Sequence, residues 1–70
     1  MTSKEYVLSH YPKAYDAWCV MDGGQMNFIM ADADEGGRHY FGRVLGKDSR
    51  RVLWAWADAA RNIKAGKVPA

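Results

Sequence analysis

A single cysteine, Cys19, leaves this chain no way to close a disulfide within itself. A lone thiol fits a reducing compartment better than a secreted framework of bridges. Histidine is nearly as scarce, at two residues. His10, Cys19 and His39 are scattered, without the paired ligand spacing that zinc sites need, so no metal site is expected. No apolar run approaches the roughly 20 residues of a membrane-spanning helix. The start, Met1-Thr2-Ser3-Lys4-Glu5, is polar and has no apolar segment of a secretory signal behind it. A cytoplasmic location without membrane contact is therefore expected. Catalytic signatures are missing too. There is no HExxH, no Ser/His/Asp order and no phosphate-cradling GxxxxGK[ST] loop. Cys19 and His39 could face each other across strands, but the alternation places Cys19 in the core, where a thiol acts as a small hydrophobe. These absences predict a chain that is not an enzyme and carries no cofactor.

What the chain has is aromatic bulk and an uneven charge distribution. Its 70 residues include three Trp, four Tyr, two Phe and four Met. That length makes one domain, 1–70, which buries only about 60% of its unfolded surface and leans on a dense core or on association. The net charge of +2 conceals an acidic first half and a basic second half. Lys4 and Lys13 stand against Glu5, Asp16, Asp22, Asp32, Asp34 and Glu35. After Gly37 come Arg38, Arg43, Lys47, Arg50, Arg51, Arg61, Lys64 and Lys67, against Asp48 and Asp58. Such asymmetry points to an electrostatic partner, unless the halves interleave on folding and compensate.

The order of elements reads as α+β. Thr2-Ser3-Lys4-Glu5 is a capping box opening a short helix over 3–10, which Pro12 stops. Strand-like runs follow at about 15–21, 26–31 and 38–45. They are separated by the turn Asp22-Gly23-Gly24-Gln25 and by the acidic, glycine-rich run Asp32 to Gly37, with Gly42 as a kink. Short turns make this a three-stranded antiparallel meander. A C-terminal helix over about 49–65 is capped by Asp48 or Ser49 and closed by Gly66. Its apolar stripe is Val52, Trp56, Ala59, Ala60 and Ile63, with Leu53 at the edge, and this stripe is expected to pack on the sheet.

Several large side chains are left over. Neither face of the sheet alternates cleanly to polar. If Met26, Phe28 and Met30 face the helix, then Trp18, Val20, Ile29 and Tyr40 lie on the opposite face. There they meet the N-terminal helix, another partner protein or a second copy, in which case they are the self-association surface of a homodimer. Trp54 projects away from the apolar stripe among Arg50, Arg51, Asp58 and Arg61. Exposed Trp beside Arg is the composition of interaction hot spots. The alternative is an indole held in place by cation–π contact.

Two further constellations were weighed. Asp32-Ala33-Asp34-Glu35-Gly36-Gly37 has a calcium-loop look, but the twelfth position, which needs an acidic ligand, is Arg43. The acidic run reads as a solvated hairpin turn, with a mimic of phosphate toward a basic partner as the weaker alternative. Lys47, Arg50, Arg51, Arg61, Lys64 and Lys67 would line a basic helix face for nucleic acid, although the acidic turns oppose it and no RNA-binding signature is present.

Tyr11-Pro12-Lys13-Ala14, the Trp/Val hairpin, Leu45-Gly46 and Ala55-Trp56-Ala57-Asp58-Ala59-Ala60-Arg61 together resemble small accessory proteins encoded by phages and prophages. The resemblance spans most of the chain and carries no catalytic site. It implies a protein that binds and inhibits a host protein complex in the host cytoplasm, with an anti-defence, anti-CRISPR-like role. The contact patch would be Trp54, Arg50, Arg51, Arg61 and Asp58. A small nucleic-acid-binding accessory protein using the basic helix face is the first alternative. A virion structural or assembly component is the second.

Overall fold

The computed structural model describes residues 1–32 and 43–68. Along them run α1 (Ser3–His10), β1 (Tyr15–Met21), β2 (Gly24–Met30), β3 (Val44–Asp48) and α2 (Val52–Lys64). The strands form one antiparallel sheet in the order β1-β2-β3, and α2 packs on it. This is the expected α+β arrangement.

The capping box opens α1 as the sequence requires. The Glu5 N–H donates to Thr2 Oγ1 at 3.1 Å, and the Thr2 N–H donates to Glu5 Oε1 at 3.0 Å. Two turns do not hold themselves in water, and α1 buries only Val7. Its support comes from α2. The two helices exchange lysines over each other's aromatic rings. Lys4 Nζ lies 5.5 Å from the Trp56 ring centroid and Lys64 Nζ lies 4.7 Å from that of Tyr6. The stub therefore lies against α2 and does not cover the far face of the sheet, one of the two covers expected for it.

In the β1–β2 hairpin Met21 pairs with Gly24, so Asp22-Gly23 is a two-residue loop. Gly23 has φ +92° and Gly24 φ +128°, whereas no described non-glycine residue has a positive φ. A type I′ turn, which needs positive φ at both central positions, is thereby excluded. Residues 38–42 of the predicted run 38–45 lie outside the described residues; β3 takes in Val44 and Leu45 of that run and continues to Asp48. Gly42 lies outside the described residues. The irregularity seen is a bulge: Ile29 pairs with Gly46 and Met30 with Val44, leaving Leu45 extra. The bulge lets Leu45 and its neighbour Gly46 both be buried.

Gly46 decides which face is the core. A Cβ built there would meet the backbone N of Ala59, lie 2.7 Å from Ala59 Cα and 2.9 Å from the Ala55 carbonyl oxygen. The helix backbone therefore rests directly on the strand. Ile29, paired with Gly46, lies on this face and is fully buried with Val7, Ala31, Leu45, Ala55, Trp56, Ala59 and Ala60. The expected assignment is reversed. Ile29 faces α2, and the alternate set Met26, Phe28 and Met30 belongs to the other face. The apolar pattern was ambiguous there, and close helix approach at a glycine settled it.

The ends of α2 also differ from expectation at one end. Arg51 is the N-cap and makes no side-chain cap. Asp48 ends β3 instead, and its Oδ1 accepts from the N–H groups of Arg50 at 2.8 Å and Arg51 at 3.3 Å. The other end closes as expected. Gly66 has φ +69°, its N–H donates to the Ile63 carbonyl at 3.1 Å, and the Lys67 N–H donates to that of Asn62 at 2.8 Å. This is a Schellman motif. Val52, expected in the buried stripe, is 38% exposed, because it precedes by one turn the point where α2 meets Gly46.

Gly46→Ala is expected to lower unfolding free energy by about 3 kcal/mol or prevent folding, since the clash is with backbone that no rotamer can move aside. Urea denaturation with circular dichroism checks this.

Candidate functional site

The outer side of α2 carries the residues singled out in the sequence. Trp54 lies on its first turn and is 42% exposed. The Arg50 guanidinium stands 4.2 Å from the indole centroid and that of Arg51 stands 5.5 Å away. Arg50 is in turn paired with Asp48, Nη2 to Oδ2 at 3.3 Å. The Asp48 carboxyl is held below its usual range. The Arg50 N–H is the main cause, helped by the Arg51 N–H and the Arg50 guanidinium against a desolvation penalty. A relay therefore runs from the end of β3 outward: Asp48 positions Arg50, and Arg50 positions the indole. Val52 and Leu53, the latter 67% exposed, adjoin Trp54 in the chain. Three consecutive apolar side chains thus reach solvent at the start of one helix, next to two guanidinium groups.

Arg61 follows Trp54 by two helical turns, which places it on the same side of α2. Its Nη2 lies 3.3 Å from Asp58 Oδ1. Asp58 itself turns toward the sheet. Its Oδ2 accepts from the Lys47 N–H at 3.0 Å. One turn later Asn62 Nδ2 donates to the Leu45 carbonyl at 2.8 Å. The two side chains thus satisfy backbone groups on the outer edge of β3. The geometry brings Arg50, Arg51, Trp54 and Arg61 to one surface, while Asp58 serves the strand edge and tethers Arg61. Asn62 was not singled out from sequence, and Leu53 was placed only at the edge of the stripe expected to pack on the sheet. A polar pair four residues apart, Asp58 and Asn62, flanking the buried Ala59-Ala60, was the available signal.

The second set of expected residues divides. Trp18 pairs with Asn27 and Val20 with Gln25, on the same side as Ile29 and α2. Both are nonetheless exposed, 64% and 77%, because α2 lies over β3 and β2 and not over β1. Ile29 is buried in the core, and Tyr40 lies outside the described residues, as does His39. Cys19 is half-buried, not enclosed. The calcium-like run 33–37 also lies outside the described residues. Among the described residues no three His, Cys, Asp or Glu side chains come together as a metal ion would require, and no helix is long and apolar enough to cross a membrane. A hollow of 130 Å³ lies between the hairpin tip, Asp22 to Met26, and Ser49.

Protein-family models, curated proteins and solved structures show no match to this chain.

Two outcomes follow for stability. Asp58→Ala and Asn62→Ala should each lower it by about 1–2 kcal/mol, because each leaves a strand-edge group of β3 without its partner; equilibrium unfolding measures this. Glu5 and Asp48 both have carboxyl groups depressed in the folded state, Glu5 through the Thr2 backbone and hydroxyl. Their contribution is present above the unfolded carboxylate range near pH 4 and is lost as pH falls through the lower folded values. The melting temperature should hold between neutrality and about pH 5, then fall. Asp48→Asn, which keeps the acceptor but not the titration, should make that fall shallower.

Proposed function

We propose that this chain is a protein-binding module that docks through the Trp54 corner, and that it serves as a phage-encoded accessory protein binding and inhibiting a host protein complex, with an anti-defence role. One observation carries the binding reading: a Trp that is 42% exposed and yet clamped by two arginines. Cation–π contact at an exposed site is worth only about 0.5–1 kcal/mol. Burial of the indole would contribute more, so this position contributes less to the fold than it offers a partner. Ordering the ring before contact lowers the entropy lost on binding. Leu53 and Val52 extend the apolar area, and Arg51 and Arg61 give it a charged rim. The resemblance to phage accessory proteins, carried by the motif Ala55 to Arg61, supports the choice of a host protein as partner.

The arrangement of charge favours protein over nucleic acid. Arg50 and Arg61 each carry an aspartate partner, Asp48 and Asp58. The basic face is therefore less positive than its sequence suggests, and nucleic-acid affinity comes mainly from cations free to neutralise phosphates.

Trp54→Ala should leave the melting temperature nearly unchanged, within the roughly 0.5 kcal/mol typical of surface substitutions. It should also abolish stoichiometric capture of a host protein and any rescue of phage plating on a defended host. Equal capture and rescue by wild type and Trp54→Ala would overturn this reading. So would retardation of DNA or RNA at low salt that fades steeply as salt rises.

A further inference from the structure

The two edges of the sheet are treated differently. On the outer side of β3 the Lys47 N–H and the Leu45 carbonyl are taken by Asp58 and Asn62 from α2. That edge is closed to another strand. β1 is the opposite edge, and none of the described elements other than β2 packs along it. Exposed edges are normally blunted by lysine, proline or a bulge. β1 reads Tyr-Asp-Ala-Trp-Cys-Val-Met, has no lysine, proline or bulge, carries Asp16 near its start as its one charge, and pairs with β2 in unbroken register over its whole length. Beside this edge stand Trp18 and Val20, two large apolar side chains that are mostly exposed.

We propose that β1 pairs antiparallel with β1 of a second copy about a two-fold axis at Cys19, joining two three-stranded sheets into one. The order of side chains along β1 is what selects a second copy of the same strand. About Cys19, Trp18 falls opposite Val20 of the second copy and Val20 opposite its Trp18. This is an aromatic–β-branched pair formed twice on the face carrying α2, of the kind that stabilises antiparallel neighbours. At each end of the seam Asp16 falls opposite Asp22 of the second copy, a like-charge pair at the rim that water and salt screen. An axis at Trp18 would instead set each Asp16 against a Val20. The interface is isologous and closes on itself, so it yields a dimer and not a fibre. It uses an edge, not the buried Ile29 face, and leaves Trp54 on α2 free in both copies.

The register has its own reporter. Residues directly opposite in an antiparallel pair have Cα atoms about 4.5–5.5 Å apart, inside the roughly 4.4–6.8 Å that a disulfide spans. The two half-buried Cys19 thiols would face each other. Under diamide they can join, the reagent taking up two electrons and two protons as the S–S bond forms.

Light scattering at high micromolar concentration should give twice the chain mass for the wild type and for Trp54→Ala. Val20→Lys should give the chain mass alone, with an unchanged circular dichroism spectrum, since Val20 takes no part in the core. Diamide should link wild-type chains through Cys19. The link should be lost in Cys19→Ser and in dilute Val20→Lys. A monomeric wild type, or a dimer that Val20→Lys leaves intact, would overturn the proposal. A dimer sensitive to Val20→Lys in which Cys19 does not cross-link would overturn the register. Because Trp54→Ala is expected to stay dimeric, this outcome is independent of partner binding at that corner.

Discussion

The structure depends on the approach of α2 to β3. Gly46 has no side chain, and the backbone of Ala55 and Ala59 occupies the space a Cβ would need. Helix and strand lie as close as their main chains allow. That contact sets the face of the sheet that becomes the core, because Ile29 opposite Gly46 must then be buried. It also lets short side chains on α2, Asp58 and Asn62, reach the outer edge of β3. Longer separation would put both out of hydrogen-bond range.

The same contact explains what is left open. A helix drawn this tightly onto one edge strand cannot also cover the other. Trp18 and Val20 share the covered face but stand on β1, beyond the reach of α2. At the helix start, Val52, Leu53 and Trp54 precede the point of contact and remain at the surface. The exposed apolar surface therefore falls in two places, a strand edge and a helix corner, and both follow from one packing decision. In a domain this small, where little surface is buried at all, such leftovers offer a partner apolar area without a dedicated loop.

Charge is arranged on the same frame. Asp32 of the acidic half meets Arg43 of the basic half at 2.9 Å, while Asp48 with Arg50 and Asp58 with Arg61 pair within the basic half. Exposed pairs of this kind add little stability. Their effect is positional. Asp48 serves the turn into α2 and fixes Arg50 over the indole, so the strand-to-helix turn and the Trp54 corner share one carboxylate.

Local signals carried far in this chain. The capping box at Thr2, the stop before Pro12, the first strand, the glycine hairpin and the helix closed by Gly66 were legible because each rests on contacts between residues close in sequence. The exposure of Trp54 was legible from helical period alone. The face of the sheet was not. Met26, Phe28 and Met30 alternate with Asn27 and Ile29, and both sets carry large apolar groups, so period 2 cannot choose between them. Only the tertiary contact at Gly46 chose. The bulge at Leu45 and the service of Asp58 and Asn62 to a strand edge likewise depend on backbone groups brought together across many residues. Sequence determined the elements and their order; the distance between one helix and one strand determined which side chains are core and which are left for a partner.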